Sequence, residues 1–253
     1  MGYTYTWTYD KAGNILCKRT HDFTTEVLDV ELDTVNYVYG NSVWGDLLTS
    51  YGEYPIEYDG IGNPTKIVTS ASTGLDGYWD EYGYEYEWQG RQLMSRSYYE
   101  RYSDGSDFYD DYYAMTFSYN ADGICTGKTI YDVEYTYILD GTQIIGETWT
   151  DGVLGYTLLY VYDENGSPIG LKYRTDIYAE GYFDSFFFEK NLHGDIIAIY
   201  NVDGDKIGSY IYDAWGNFSV TTVSGNTTLE NQIVNSYNPF RYRGYYYDVH
   251  LGW

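Results

Sequence analysis

The sequence contains little proline, little cysteine, few basic residues and no long apolar run. Only 4 of its 253 residues are proline. No apolar stretch approaches the roughly 18 residues of a transmembrane helix, so we expect no membrane insertion. The two cysteines, Cys17 and Cys125, are too few and too distant in sequence for a disulfide framework, and we expect thiols without a role. No signal peptide is visible in the opening Met-Gly-Tyr-Thr-Tyr.

Basic residues number 14 against 38 acidic ones, which gives a formal net charge of −24. Binding to a nucleic-acid backbone requires clustered lysine and arginine, so this balance argues against a nucleic-acid partner. Two interpretations of the acidity stay open. Strong self-repulsion can keep tyrosine-rich sheet edges from aggregating, or the acidic loops can bind Ca²⁺.

Catalytic signatures are also missing from the sequence. The three histidines, His21, His193 and His250, are too isolated for a metal triad or a Ser-His-Asp arrangement. No phosphate-binding loop, nucleophile elbow or zinc-protease motif occurs. We therefore expect no enzyme, no catalytic residue, no metal site and no cofactor. A hydrolase that uses two closely spaced carboxylates is kept as an alternative hypothesis.

The sequence is rich instead in tyrosine and in one short repeat. Tyrosine accounts for 36 residues, and aromatic residues make up 21% of the chain. An octet with an apolar residue, then Tyr-Asp, then Gly three residues after the Asp, occurs in four close copies. These lie at 7–14, 56–63, 160–167 and 210–217, and looser copies begin at Tyr84, Phe117, Tyr135 and Ile199. An internal repeat of this kind decides the architecture.

Each octet predicts the turn of a β-hairpin. Period-two alternation places the apolar residue and the tyrosine on one face of a strand. An aspartate side chain can bond to its own backbone two residues on, and glycine supplies the positive φ that closes a type I turn followed by a left-handed residue. The predicted turn residues are Asp10, Gly13, Asp59, Gly62, Asp163, Gly166, Asp213 and Gly216.

The chain shows no sustained amphipathic helix and no linker that would divide it. The sequence therefore predicts an all-β fold of antiparallel β-hairpin repeats, in a single segment over residues 1–253. Residues 223–236 are polar and rich in Asn and Thr, and we expect them to form a flexible loop.

Three C-terminal stretches carry a resemblance to a known family. They are 190–199 (Lys-Asn-Leu-His-Gly-Asp-Ile-Ile-Ala-Ile), 210–217, and 238–248 (Asn-Pro-Phe-Arg-Tyr-Arg-Gly-Tyr-Tyr-Tyr-Asp). Together with the octets, they make the chain similar to the Rhs/YD-repeat proteins and to the related teneurin YD shells. Residues 188–248 resemble the start of the Rhs-associated core region. The residues that match its motif are Asn238, Pro239, Phe240, Arg241, Tyr242, Arg243 and Gly244.

The resemblance implies one curled, spiralling sheet that forms part of a hollow shell around a C-terminal cargo, often a toxin. In toxin-bearing members the core region closes the shell and releases the cargo by an aspartate-dependent self-cleavage. Here the sequence after Asp248 reads Val-His-Leu-Gly-Trp, so we expect the cargo and the self-cleavage segment to be lacking. The implied function is a non-catalytic structural segment, secreted or at the cell surface. Its implied partners are neighbouring repeats or an encapsulated C-terminal domain of a longer parent protein.

A second hypothesis uses the same residues. Tyrosine and tryptophan platforms could make the chain a cell-surface adhesin or carbohydrate-binding module whose partners are glycans or cell-surface proteins. The role of Arg241 and Arg243 also has two interpretations. They clasp carboxylates or aromatic faces across the closing seam of the shell, or they form ordinary cross-strand pairs. Because the first and last strands should present unpaired backbone edges, we further expect self-association or marginal stability in isolation.

Overall fold

The computed structural model describes residues 2–28, 30–40, 44–74 and 77–252. It divides the chain into two compact units, Met1–Ser118 and Tyr119–Trp253. Within the described residues, 18 strands account for nearly all regular structure, and inside each unit consecutive strands pair antiparallel. The predicted fold class, all-β with antiparallel hairpin repeats, is confirmed. That residues 1–253 act as a single shell segment stays a prediction.

In the first unit, each strand pairs with the next one along the chain. The strands are β1 (Tyr3–Tyr9), β2 (Ile15–Asp22), β3 (Glu31–Tyr39), β4 (Leu48–Tyr51), β5 (Tyr54–Tyr58), β6 (Pro64–Thr73), β7 (Tyr78–Gln89), β8 (Gln92–Asp104) and β9 (Phe108–Tyr119). Tyrosine, valine and threonine suit the pleated surface of such strands. Side-chain burial is modest here, with Tyr99 the most deeply buried of the unit's described tyrosines.

The second unit repeats the same meander and adds a helical segment. Its strands are β10 (Cys125–Ile130), β11 (Val133–Asp140), β12 (Gln143–Thr150), β13 (Gly155–Tyr162), β14 (Pro168–Thr175), β15 (Asp184–Lys190), β16 (Ile196–Tyr200), β17 (Lys206–Tyr212) and β18 (Phe218–Thr222). They are followed by α1 (Thr228–Gln232), a π-helical turn (Ile233–Tyr237) and a 3₁₀ turn (Tyr242–Gly244).

The hydrophobic core of the second unit joins its strands to this helical segment. Side chains with less than 2% of their surface exposed come from both, and they are Leu158, Leu171, Ile196, Ile199, Ile207, Ile233 and Val234. Burying one aliphatic side chain of this size contributes about 1.5–3 kcal/mol. The helical segment is therefore a component of the core.

The four close octets share one hydrogen-bond pattern. Asp10 Oδ1 accepts from the backbone N–H groups of Ala12 at 2.8 Å and of Asn14 at 2.9 Å, and the Asp10 N–H donates to Asn14 O. The same two carboxylate contacts, at 2.8 to 3.0 Å, recur at Asp59, Asp163 and Asp213. In three of the four octets, the strand register shifts beside the tyrosine that precedes the aspartate. In these three octets a β-bulge therefore accompanies the reversal of the chain, whereas β17 and β18 pair around the fourth octet without a register shift.

The looser octets form two kinds of turn. Asn120 repeats the pattern of the close copies, with its side-chain oxygen accepting from two backbone N–H groups of the turn. The copies that begin at Tyr84 and Tyr135 end instead in tight two-residue loops. The glycines of these loops, Gly90 and Gly141, have φ values of 63° and 60°. The same octet pattern therefore occurs at more than one type of hairpin turn.

Acidification tests the octet carboxylates. Hydrogen bonds donated within each turn hold the pKa of Asp10, Asp163 and Asp213 below the ordinary value of 3.8. A lowered pKa adds stability above the unfolded-state value, and this stability is lost as the pH falls through the folded-state value. We expect the melting temperature to fall as the pH drops below about 5. A variant with Asn at all four octet aspartates should show a shallower fall, because Asn keeps the acceptor oxygen and cannot ionise.

A matched control removes four exposed carboxylates that lie outside these contacts. This charge-control variant carries Asp122→Asn, Glu164→Gln, Asp203→Asn and Asp205→Asn. Its thermal melts should keep the acid sensitivity of the unaltered chain. Equal shallowing in both variants would assign the effect to net charge and remove the octets from the explanation.

The octet glycines can be tested at Gly166, which has a φ of 77°. A Cβ at this position would meet no atom within 4 Å, so a substitution there is strained by backbone conformation alone. We expect Gly166→Val to lower the free energy of unfolding by about 1–3 kcal/mol. Asn165→Ala, in the same exposed turn, should stay within about 0.5 kcal/mol. Urea unfolding measures both, and equal costs would argue against the turn assignment.

Residues 223–236 do not form the flexible loop that their composition predicted. The Thr227 side chain accepts from the N–H of Glu230, and the Glu230 carboxylate accepts from the N–H of Thr227, which is a capping box at the start of α1. Two apolar residues that follow, Ile233 and Val234, are fully buried. The prediction of a loop was wrong because two buried side chains outweigh a polar composition.

Candidate functional site

Residues 227–252, here called the C-terminal segment, pack against the sheet of the second unit. Ile233 and Val234 enter its core, and the Tyr210 hydroxyl donates to Val234 O at 2.5 Å. Gly208 in β17 permits this close approach, since a Cβ there would lie 2.5 Å from Val234 Cγ1. A glycine in mid-strand, which normally weakens a strand, serves here to admit the helical turn.

Asn238 begins the predicted core-region motif and has no exposed surface. Its Oδ1 accepts from the Phe240 N–H and its Nδ2 donates to Phe240 O, both at 3.0 Å. The Phe240 ring meets Tyr160 and Tyr246 edge-on, with centroid distances of 5.0 and 6.2 Å. Pro239, which lies between Asn238 and Phe240 in the sequence, is buried as well. The start of the motif is thus folded on itself and inserted into the core.

Arg241 is only 2% exposed. Its guanidinium carbon lies 4.5 Å from the centroid of the Tyr210 ring and 5.4 Å from that of Phe218. Nη1 donates to the backbone oxygens of Asn238 and Phe240. Among the salt bridges of the described residues, none involves this guanidinium. Burial lowers the pKa of Arg241, and the surrounding tyrosines oppose that shift. Of the two interpretations of this arginine, the geometry matches contact with aromatic faces.

The motif brings together the C-terminal stretches that carry the family resemblance. The Arg243 N–H donates to Asp195 Oδ1 at 2.8 Å, and the Ile196 N–H donates to Arg241 O at 3.1 Å. These bonds join stretch 238–248 to stretch 190–199. The Tyr242 hydroxyl donates to a backbone oxygen of stretch 210–217 at 3.3 Å. The exposed Arg243 side chain lies over the Tyr242 ring, 5.1 Å from its centroid.

The predicted turn residues are divided between the two units. Asp163 and Asp213 lie in the second unit with the motif, whereas Asp10 and Asp59 lie in the first. The turn residues therefore do not form one site. Their position at successive hairpin ends agrees with a structural role, which stays a prediction.

A second group of side chains, here called the buried polar cluster, ties the C-terminal segment to the sheet. It consists of Lys128, Glu147, Tyr160, Tyr246 and Asp248. Lys128 Nζ lies 2.5 Å from Asp248 Oδ2, and the two side chains are 3% and 8% exposed. Glu147 accepts hydrogen bonds from the hydroxyls of Tyr160 at 2.8 Å and of Tyr246 at 3.2 Å. Strands β10, β12 and β13 thus hold two residues of the C-terminal segment.

The electrostatics of the cluster depend on all its members. Burial raises the pKa of Glu147, while the Tyr160 hydroxyl, the Lys128 charge and the Tyr246 hydroxyl oppose the increase. Removing one partner of a buried ion pair leaves a charge without compensation, and this is strongly destabilising. Beside the cluster is a cavity of about 70 Å³, which Lys128, Glu147 and Trp149 help to line. Its contents can be no larger than a few water molecules.

The part of the chain that the structure describes lacks the features of a metal site or a membrane-spanning helix. It contains no group of three or more His, Cys, Asp and Glu side chains placed to hold a metal ion. None of its helices is long and apolar enough to cross a bilayer. Cys17 and Cys125 are both free thiols. His193 is exposed in the turn before Gly194.

The roles of Lys128, Glu147 and Asp248 could not be predicted from the sequence. The sequence did contain one indication at Lys128. This residue is one of only 14 basic residues, and it lies in a short stretch of sequence that ends at Ile130. Each residue alone looks like an ordinary strand or turn charge. Their pairing spans 120 positions between Lys128 and Asp248, and no local pattern encodes a contact at that separation.

Comparison with known proteins gives relatives that are much longer than this chain. No protein-family model matches the sequence. The chain is 27% identical over 246 residues to the tRNA3(Ser)-specific nuclease WapA of Bacillus spizizenii and equally to the tRNA nuclease WapA of Bacillus subtilis. Each match covers 97% of this chain and 8% of the relative. The chain thus spans less than a tenth of the length of the curated relatives that it matches.

Among solved structures, the crystal structure of TcdB2-TccC3 matches with a TM-score of 0.43 and 14% identity, over 98% of this chain and 11% of that one. A Tc holotoxin pore from Photorhabdus luminescens matches with a TM-score of 0.42 and 15% identity, over 96% of this chain and 11% of that one. The sequence similarity to the WapA proteins extends over nearly the whole chain, and it confirms the resemblance to Rhs/YD-repeat proteins that the octets and the C-terminal motif indicated.

Proposed function

We propose that this chain is a structural segment of an Rhs/YD-repeat shell that encloses or presents a C-terminal domain of a longer protein. The observation that carries the proposal is the C-terminal segment, which is held on the second unit by the buried Lys128–Asp248 pair and by the inserted Asn238–Phe240 motif. Buried charges and buried motif residues fix this segment at one place on the sheet. Such a segment offers a rigid attachment for the polypeptide that the shell carries.

The length of the relatives supports a role as part of a larger protein. The match to this chain covers 8% of the length of the WapA proteins of two Bacillus species. These WapA proteins are tRNA nucleases. We infer that the domain carried by the parent of this chain is of the toxin type, with a nuclease acting on tRNA as the first candidate. The reacting groups would belong to that domain, and this segment would contribute none. By the same resemblance, the parent would act outside the producing cell or at its surface.

Limited proteolysis of the full-length gene product tests the proposal. Proteinase K digestion followed by mass spectrometry maps the peptides that resist cleavage. We expect the polypeptide that follows this segment to resist cleavage in the unaltered protein. It should become cleavable in Lys128→Met, which breaks the buried pair, and should stay resistant in Lys190→Met. Lys190 provides a matched control because its pairing with Asp163, at 3.9 Å, is partly exposed.

Two results would contradict the proposal. One is equal cleavage of the following polypeptide in all three proteins, which would show that the segment protects nothing. The other is a full-length gene product without further polypeptide to enclose or present. The adhesin alternative stays a prediction, and selective binding on a glycan array would favour it.

A further inference from the structure

A groove of about 390 Å³ lies on one face of the first unit, and aromatic side chains line it. Tyr78 and Tyr82 come from β7 and Tyr102 from β8. Tyr109 in β9 extends the aromatic surface, since its ring stacks on Tyr102 with a centroid distance of 4.7 Å and an interplanar angle of 15°. Tyr78, Tyr102 and Tyr109 are between 36% and 54% exposed. We call this surface the tyrosine groove.

Carboxylates alternate with the tyrosines along the same strands. Asp80, Glu100 and Asp104 line the groove. Asp111 lies directly opposite Glu100 in the register of β8 with β9. Because side chains two residues apart share a strand face, all four carboxylates are on the same face as the groove tyrosines. Within the described residues, none of the four takes part in a salt bridge.

Ion pairs lie on the opposite face of the same strands. Arg101 bonds to Glu85 at 2.9 Å and to Asp110 at 3.1 Å, and Lys66 bonds to Glu81 at 2.8 Å. The salt bridges of these described strands therefore involve carboxylates of the opposite face, while on the groove face the Arg96 guanidinium lies over the Tyr84 ring, 3.9 Å from its centroid. Because the chain has a net charge of −24, few of its lysine and arginine side chains are left to pair with the groove carboxylates.

We propose that the tyrosine groove docks an arginine-rich segment of the domain that the parent protein carries. This inference rests on the proposed function and adds the chemistry of the partner. A guanidinium is planar and weakly hydrated, and it can stack on a tyrosine face while it donates to a carboxylate. A groove that alternates tyrosine and carboxylate fits these two requirements together. A lysine ammonium satisfies the carboxylates but stacks less well.

The partner proposed above has the matching charge. A nuclease that acts on tRNA must present lysine and arginine to the phosphate backbone. Such a basic surface binds nucleic acid without selection when it is exposed. An acidic aromatic groove would cover part of that surface while the domain is carried. Both the acidic groove and the negative net charge of the chain would therefore be complementary to a basic cargo.

Fluorescence anisotropy with the purified chain tests this inference. The ligands are fluorescein-labelled oligo-arginine and oligo-lysine peptides of equal length. A groove variant carries Asp80→Asn, Glu100→Gln, Asp104→Asn and Asp111→Asn, and the charge-control variant defined above removes the same number of charges elsewhere. We expect the groove variant to weaken oligo-arginine binding about tenfold and the control variant to weaken it less than about twofold. Circular dichroism and urea unfolding check that both variants fold.

The aromatic contribution is tested separately by Tyr102→Leu, which leaves every charge in place. The unaltered chain should bind oligo-arginine more tightly than oligo-lysine, and Tyr102→Leu should reduce this preference. Equal weakening of oligo-arginine binding in the groove and charge-control variants would overturn the inference, because binding would then depend on net charge alone. Selective glycan binding that depends on Tyr102, without oligo-arginine binding, would also overturn it. Neither result depends on protease protection in the full-length protein, so the inference and the proposed function can fail independently.

Discussion

Lys128→Met is expected to lower the free energy of unfolding of the second unit by about 3–5 kcal/mol. The substitution leaves Asp248 buried, with its side chain only 8% exposed and its ion-pair partner removed. It also removes the positive charge that opposes the raised pKa of the buried Glu147. Methionine fills a volume similar to that of the lysine stem, so the cost measures the lost charge more than a cavity. Equilibrium urea unfolding measures the change.

Two comparisons make the Lys128 result specific. Lys190→Met breaks a partly exposed contact and should cost no more than about 1 kcal/mol. Combining Lys128→Met with Asp248→Asn removes both charges and should recover part of the loss, because no buried charge is then left unpaired. Hydrogen exchange should show the loss of protection first in residues 238–252. A cost for Lys128→Met as small as that of Lys190→Met would argue against a buried anchor.

Gly208→Val is expected to displace the π-helical turn from the sheet. A Cβ at Gly208 would lie 2.5 Å from Val234 Cγ1 and 2.6 Å from Cγ2, and 3.1 Å from Thr221 O. Real side chains do not approach so closely, and overpacking of this kind costs about 1–3 kcal/mol or more. We expect a lower melting temperature together with increased proteolysis within residues 227–252.

A double-mutant cycle identifies the clash. Gly208→Ala introduces the Cβ, and Val234→Ala removes the two methyl groups that it would meet. The double variant should cost clearly less than the sum of the single variants, since each change relieves the other. Gly60→Ala, at a position with no atom within 4 Å of the added Cβ, is the control and should stay within about 0.5 kcal/mol. Additive costs in the cycle would show that Gly208 and Val234 do not meet.

The local features of the fold could be predicted well from the sequence. The octets predicted chain reversals, and the strands of each unit pair on either side of them. This success has a physical reason, because an aspartate or asparagine turn is encoded in five consecutive residues and needs no distant partner. The capping box of Thr227 and Glu230 is also local, but its short polar helix was obscured by the surrounding Asn and Thr.

The features that hold the C-terminal segment could not be read in the same way. Gly208 and Val234 are 26 positions apart, and Lys128 and Asp248 are 120 positions apart. Arg241 was identified from the family resemblance, yet its contact with Tyr210 and Phe218 depends on the packing of three separate elements. Non-local contacts depend on register and sheet curvature, which a period-two pattern leaves undetermined.

The central claim is that each octet reverses the chain so that its two flanking strands pair in a fixed register. Disulfide formation across β13 and β14, which flank the octet at 160–167, tests it most directly. In a background with Cys17→Ser and Cys125→Ser, the pair Thr157→Cys and Arg174→Cys occupies directly opposed positions. The pair Thr157→Cys and Lys172→Cys is displaced by two residues, because Lys172 lies opposite Leu159. The Cα atoms of opposed residues lie about 4.5–5.5 Å apart, within the range of a disulfide, whereas diagonal neighbours are about 7–8 Å apart and beyond it. We expect rapid, nearly complete oxidation of the first pair and little oxidation of the second. Equal oxidation of both pairs, or none of either, would contradict it.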